Sequence, residues 1–160
     1  MSMKTQGTQL YIVYTEGSTA EVVRIGCPTG ISYSGAPADQ IENTCLDETD
    51  AHTYEPGLKN PGTASVSVDF DTANTSHMYV YDQYKAGATA VTQWAVGFSD
   101  GTSAPTLDSD GLLQTTTDRS WVVFSGYVND LPLDFSLNTL VKSDIPIQIS
   151  GGVTVIAKSS

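Results

Sequence analysis

The chain contains two histidines, His52 and His77, so any mechanism that moves a proton through an imidazole rests on one of them. Neither has a visible partner in the sequence, and each reads as a surface or helix-start residue. Gly30-Ile31-Ser32-Tyr33-Ser34-Gly35 has a superficial likeness to a serine nucleophile turn. It lacks the Gly-x-Ser-x-Gly spacing that presents the hydroxyl on a strained strand-to-helix corner. Asp47-Glu48-Thr49-Asp50-Ala51-His52 gathers carboxylates of the kind that suit a hard cation, and Asp108-Ser109-Asp110-Gly111 opens like a calcium loop but lacks the later bidentate Glu. Both read better as solvated loops. The 18 acidic residues could supply a pair for glycoside hydrolysis, but the separation of such a pair is a property of the fold, and nothing in the sequence selects two of them. Cys27 and Cys45 are too few and too far apart for a zinc site and read as two reduced thiols. No glycine-rich phosphate loop is present. These residue types predict no catalytic residue, no metal and no cofactor.

Charge sets further bounds. Seven Lys and Arg against 18 Asp and Glu give a net charge of −11, with no basic run that could neutralise phosphates. Sequence-specific DNA or RNA binding is therefore excluded as an expectation, although an acidic protein can still meet nucleic acid as a wall that repels it. Acidity also serves solubility alone. Hydrophobic residues make up 39% and charged ones only 16%, which leaves a surface of Thr, Ser, Gly, Asn and Gln suited to broad polar contacts. A chain of 160 residues is expected to fold as one domain over 1–160, burying roughly two-thirds of its unfolded surface. Met1 to Gly7 lacks the apolar core of a signal peptide, and no segment approaches the ~20 apolar residues of a membrane helix, so folding in a cytoplasm is expected.

The elements that would position any site are mostly strands. Thr8–Tyr14 and Ala20–Ile25 read as an opening hairpin around the turn-rich Thr15–Thr19. Gly26–Pro37 is loop by composition, Ala38–Leu46 is a weak strand, and Asp47–Gly62 reads as a long acidic loop. Loops longer than ~12–15 residues need a reason to exist, and contact with a partner is one. Ala64–Phe70 alternates cleanly, with Val66, Val68 and Phe70 on one face and Ser65, Ser67 and Asp69 on the other. Ser76 as N-cap, His77, Val80, Tyr81 and Tyr84 at helical spacing, and Gly87 as a stop favour a helix over a strand. Val91–Phe98 and Ser120–Val128 read as paired aromatic strands around the polar excursion Ser99–Asp118. Leu133–Val141, Ile145–Ile149 and Val153–Ala157 supply further strands. About eight strands and one helix describe a mainly β fold, a β-sandwich or barrel with one packed α-helix and long inter-strand loops.

In this order of elements the chain resembles the tail tube, or major tail, proteins of long-tailed bacteriophages of the lambda-like type. The residues that carry the likeness are Gly7-Thr8-Gln9-Leu10-Tyr11-Ile12, then Pro56-Gly57-Leu58-Lys59-Asn60-Pro61-Gly62 before Ser65-Val66-Ser67-Val68. The helix near Ser76–Tyr84, and Phe98-Ser99-Asp100-Gly101 followed by Phe124-Ser125-Gly126-Tyr127-Val128, complete it. The likeness covers nearly the whole chain. It implies a non-enzymatic virion protein, made and assembled in the host bacterial cytoplasm, whose copies form hexameric rings that stack into a hollow tube conducting the genome. Its implied partners are further copies of itself, a tail tip or initiator, a tail terminator and a tape measure protein, with DNA passing through the lumen without specific binding. The chain stops at Ser160, so no additional C-terminal immunoglobulin-like decoration domain is expected.

Under that resemblance, Asp39, Glu42, Ser65, Ser67 and Asp69 are candidates for the lumen lining. Asp47, Glu48, Asp50, Tyr54, Leu58 and Lys59 are candidates for contacts between rings, with Tyr54 and Leu58 the energetic anchors because a rim ion pair contributes little. Two other readings compete. One is a secreted carbohydrate- or surface-binding β-sandwich, in which Trp94, Trp121 and exposed tyrosines would form a stacking platform; their strand neighbours Val96, Phe98, Val123 and Phe124 point instead to a core. The other is the tube protein of a bacterial contractile secretion system, which shares the architecture.

Overall fold

A computed structural model describes residues 2–16, 18–86 and 91–159. The β-branched and aromatic runs at the N-terminus form β1 (Gln9–Glu16) and β2 (Thr19–Arg24), antiparallel with Ile12 opposite Val23 and Tyr14 opposite Glu21. After them come β3 (Pro28–Tyr33), β4 (Ala38–Glu42), β5 (Tyr54–Lys59), β6 (Thr63–Asp69), α1 (Thr75–Ala86) and β7 (Thr92–Gly97). The chain continues through β8 (Thr106–Leu107), β9 (Leu113–Gln114), β10 (Trp121–Val128), β11 (Lys142–Ile149) and β12 (Thr154–Ile156). Eight strands share one antiparallel sheet in the order β2-β1-β7-β10-β11-β6-β3, with β12 also on β10. The pairs β4–β5 and β8–β9 form two small sheets of their own.

Strand β10 holds the architecture together by changing partners along its length. Trp121–Val123 pairs with β12, whereas Gly126–Val128 pairs with β11, and β7 runs along the other side with Phe124 opposite Trp94. The sheet divides there into two wings that face each other. Leu10, Ile12, Trp94, Val96 and Phe124 of one wing meet Val66, Val68, Ile145, Ile147 and Ile149 of the other in a single apolar cluster. This is the sandwich-like arrangement that the alternating patterns predict. A smaller cluster of Tyr11, Ala95 and Trp121 lies on the opposite face of β1, β7 and β10, so β1 is buried on both sides. Trp94 and Trp121 are both buried, which takes both tryptophans out of any stacking platform of a carbohydrate-binding module.

The helix forms where expected, but its cap is Asn74 and not Ser76. The Asn74 Oδ1 accepts the Ser76 N–H at 3.1 Å, the N2 hydrogen bond of an N-cap. Ser76, His77, Val80 and Gln83 make the buried face, while Tyr84 is exposed. Gly87, the expected stop, lies outside the described residues, as does Gly17 in the first hairpin turn. His77 is neither exposed nor partnerless. Its Nδ1 accepts the Asp71 N–H (3.0 Å), so the ring proton sits on Nε2 and is donated to the Gly26 carbonyl (2.7 Å).

Four other expectations change. Gly26–Pro37 is not all loop: β3 pairs with β6 as an edge strand, where Pro28 at its start forfeits no ladder bond, and a bulge between Pro28 and Gly30 absorbs the irregular composition. Asp47–Gly62 is not a continuous loop either, because Tyr54–Lys59 pairs with β4 despite carrying Pro56 and Gly57. Leu133–Val141 alternates like a strand yet forms a single bridge, Asp134 to Lys142, because Asn138 turns the chain at φ +60° and Phe135 and Leu137 have no core to face. The excursion Ser99–Asp118 contains the short β8–β9 hairpin, and the described residues hold twelve strands in place of about eight.

Candidate assembly surfaces

Two surfaces collect the candidate residues. The first is an arm made of β4, β5 and the intervening residues 43–53, a two-stranded sheet separate from the main one. Within its 22 residues lie Asp39, Glu42, Asp47, Glu48, Asp50 and Glu55 against the single cation Lys59. Hydrogen bonds tie its two sides: Asn60 Nδ2 donates to Asp39 Oδ1 (2.6 Å), Asn43 Nδ2 to Glu55 Oε1 (2.7 Å), and the Thr53 N–H to Thr44 Oγ1 (2.9 Å). His52 Nδ1 lies 2.6 Å from Glu42 Oε1, the one histidine–carboxylate contact among the described residues, and both side chains are exposed. Asp47, Glu48 and Asp50 sit in the connecting loop, whereas Tyr54, Leu58 and Lys59 belong to β5. All six are exposed, and Ile41 and Leu46 add two further exposed apolar side chains that sequence reasoning did not select. A hairpin of this kind is marginal on its own in water, and this one leaves its apolar side chains uncovered.

The second surface is the polar face of the β3-β6-β11 wing. Ala64, Val66 and Val68 point to the core, and Ser65, Ser67 and Asp69 point away from it, half-buried among their neighbours. Asp144 of β11 stands opposite Ser67, which donates a hydroxyl hydrogen bond to it, and Lys142 stands opposite Asp69. Asp144 was legible in the sequence, because the Ile145, Ile147, Ile149 alternation puts it on the outward face, but that pattern was read for its core side only. Asp39 and Glu42 lie on β4 in the arm, so the structure separates the lumen candidates into two groups on different sheets.

Away from both surfaces, a buried cation ties the N-terminal segment to the end of β7. Arg119 has no exposed surface, and its guanidinium donates to the carbonyls of Phe98 (2.6 Å), Gly97 (2.8 Å), Gly7 (3.1 Å) and Ser103 (3.1 Å) and to Gln9 Oε1 (2.8 Å). Its planar group also lies 5.2 Å from the Trp121 ring. Next to it, Asp100 accepts the Ser120 N–H (3.0 Å) and hydroxyl (2.6 Å), and these hydrogen bonds hold the Asp100 carboxyl below the usual carboxylate range. Asp108, by contrast, spends its oxygens on the Asp110 and Leu112 N–H groups and on Gln114, which explains its turn without a cation. Cys27 and Cys45 are free and exposed. Among the described residues, no group of three His, Cys, Asp or Glu side chains could hold a metal ion, and no helix is long and apolar enough to cross a membrane.

Similarity to known proteins agrees with this scaffold. The protein family described as phage tail tube, lambda-like, matches residues 1–159. Structural protein 3 of Pseudomonas phage PAJU2 is 43% identical over 162 residues, covering 99% of this chain and 96% of that protein. Among solved structures, the SPP1 tail tube superposes with a TM-score of 0.71 at 8% identity, covering 99% of this chain and 81% of that one. A chain of the sheath–tube complex of the extracellular contractile injection system PVC gives 0.64 at 12% identity, covering 98% and 92%. A chain from the tail of an empty GTA particle gives 0.62 at 13% identity, covering 92% and 96%. At such identities the structural likeness speaks for the fold alone. The family match and the PAJU2 relative carry the rest: this chain belongs to the lambda-like phage tail tube family, a structural, non-catalytic, tube-forming protein of the virion tail.

Proposed function

We propose that the 160 residues act as one tube-building unit, six copies closing into a ring and rings stacking into a hollow tube through which the genome passes. The observation that carries this reading beyond family membership is the β4–β5 arm, a hairpin with apolar side chains that its own chain leaves uncovered. Seated on an adjacent ring through Tyr54, Leu58 and Leu46, the arm would gain the packing it lacks, with Asp47, Glu48, Asp50 and Lys59 at the rim. The GTA tail, refined with sixfold symmetry, supports a ring of six for this chain.

The lumen follows from electrostatics. DNA carries one charge per ~1.7 Å of its axis, so a basic lining would grip it through many phosphates and an acidic one would let it slide. At physiological salt the screening length is ~8 Å, so only carboxylates on the lining act on the duplex. Asp69, Ser65 and Ser67 of the wing, with Asp39 and Glu42 of the arm, are the proposed lining, and Asp144 joins them by its place opposite Ser67. At its ends the tube would meet a terminator and a tip or initiator, and inside it a tape measure protein. The PVC tube terminator and the AFP baseplate and cap, whose chains share this fold, support such end contacts. Negative-stain electron microscopy with light scattering on the concentrated protein tests the reading. Hollow tubes or six-membered rings are expected; assemblies that are neither hollow nor six-membered overturn it.

A further inference from the structure

The loop joining β10 to β11 leaves Phe135, Leu137 and Leu140 at 74%, 89% and 66% exposure. Its base is nevertheless fixed. Leu131 packs on the core, Ser143 Oγ donates to the Pro132 carbonyl (2.6 Å), and Asp134 bridges to Lys142. At the tip Asn138 has φ +60°, a left-handed conformation that asparagine tolerates. A loop pinned at its base and presenting three large apolar side chains costs solubility unless something covers them.

An uncovered apolar groove of about 380 Å³ lies elsewhere on the same chain, between the edge strand β3 and the β10–β12 edge. Met3, Ile31, Tyr33, Val122, Val153 and Val155 line it. Lys4 is its only charged lining residue, in a chain whose net charge is −11, and the charged residues of the loop, Asp130 and Asp134, are both acidic. The groove touches Tyr33 and Ala64, at one end of the β3–β6 pair, whereas the base of the loop lies beside Thr29 and Val68, at the other. Loop and groove therefore lie apart on one copy and meet only when copies are set side by side. A contact between two different patches is heterologous, and it closes into a ring when the rotation between copies permits.

We infer that the Phe135–Leu140 tip of one copy seats in the β3–β12 groove of the next copy, with its acidic base toward Lys4. This rests on the ring reading and names the surfaces that close the ring. The test starts from a chain in which the exposed Cys27 and Cys45 are replaced by Ser. Leu137→Cys and Val155→Cys are introduced into separate chains and also together, assembled, and treated with a short bis-maleimide. The separate variants, mixed, should yield a cross-linked dimer that neither gives alone, and the double variant a ladder ending at the ring. Phe135→Ser with Leu137→Ser, whose exposed sites leave the monomer's circular dichroism unchanged, should raise the concentration needed for assembly at least tenfold. Tubes that form without cross-links, and as readily with the serine variant, overturn the docking and leave the tube reading standing. Wild-type protein whose assemblies are neither rings nor tubes overturns both readings.

Discussion

Arg119 carries a buried positive charge with no carboxylate within ion-pair distance among the described residues. Four carbonyls, one amide oxygen and an aromatic face replace its water, so truncation would leave several buried acceptors unpaired at ~1–3 kcal/mol each. Arg119→Met is expected to lower the unfolding free energy by about 3 kcal/mol or more, read from the urea midpoint. Arg119→Lys should recover little of it, because an ammonium cannot reproduce the planar fork. Gly97 belongs to the same node: a Cβ there would stand 2.5 Å from Arg119 Cζ. Gly97→Ala should cost about 1–3 kcal/mol by overpacking. Asp100 supplies a pH dependence. Its folded pKa is lowered by the Ser120 hydrogen bonds, so its contribution is present above the ordinary pKa of 3.8 and is lost as pH falls through the folded value. Thermal melts of Asp100→Asn against wild type should converge only as pH falls below that lowered folded value. None of this was legible beforehand. A lone arginine between Asp118 and Ser120 looks like any surface cation until the topology brings residues 7, 97, 98 and 103 around it.

Elements with a strong local pattern were legible, and those defined by their neighbours were not. The alternations in β6 and β11, the β7–β10 pairing and the helix followed from period and capping chemistry, although the cap shifted two residues to Asn74. Strands β3 and β5 escaped detection because Pro and Gly mark turns in a sequence but are tolerated at sheet edges and in exposed hairpins. Leu133–Val141 failed in the opposite sense: its alternation is strand-like, but Asn138 turns the chain and its apolar side chains meet no core. The arm gives a prediction at this scale. Replacing residues 43–53 by Asn-Gly, which closes β4 onto β5 at the Glu42–Tyr54 pair, removes no residue of either core cluster. The monomer's melting temperature should move by no more than a few degrees, while stacking into tubes, scored by electron microscopy, should be lost.

At the scale of the molecule, assembly must bring together copies that each carry a charge of −11. That repulsion is screened over ~8 Å at physiological salt and over ~30 Å at 0.01 M, so raising salt from low to moderate should favour tubes. Light scattering against sodium chloride at fixed protein concentration checks this; an assembly that dissolves as salt rises would mean that ion pairs between copies dominate instead. The composition announced the charge, and only the fold shows that a third of the acids sit on one arm. The same topology governs what happens before any ring exists. Strand β1, which holds the longest unbroken run of buried residues, has its inner partner in β7, with Ile12 opposite Trp94, 82 residues later in the chain. At ~5–20 residues per second the ribosome needs roughly 4 to 16 s to make that partner. During that interval the nascent chain displays an unpaired apolar strand edge, so the step most exposed to mispairing in the life of this virion component is its translation.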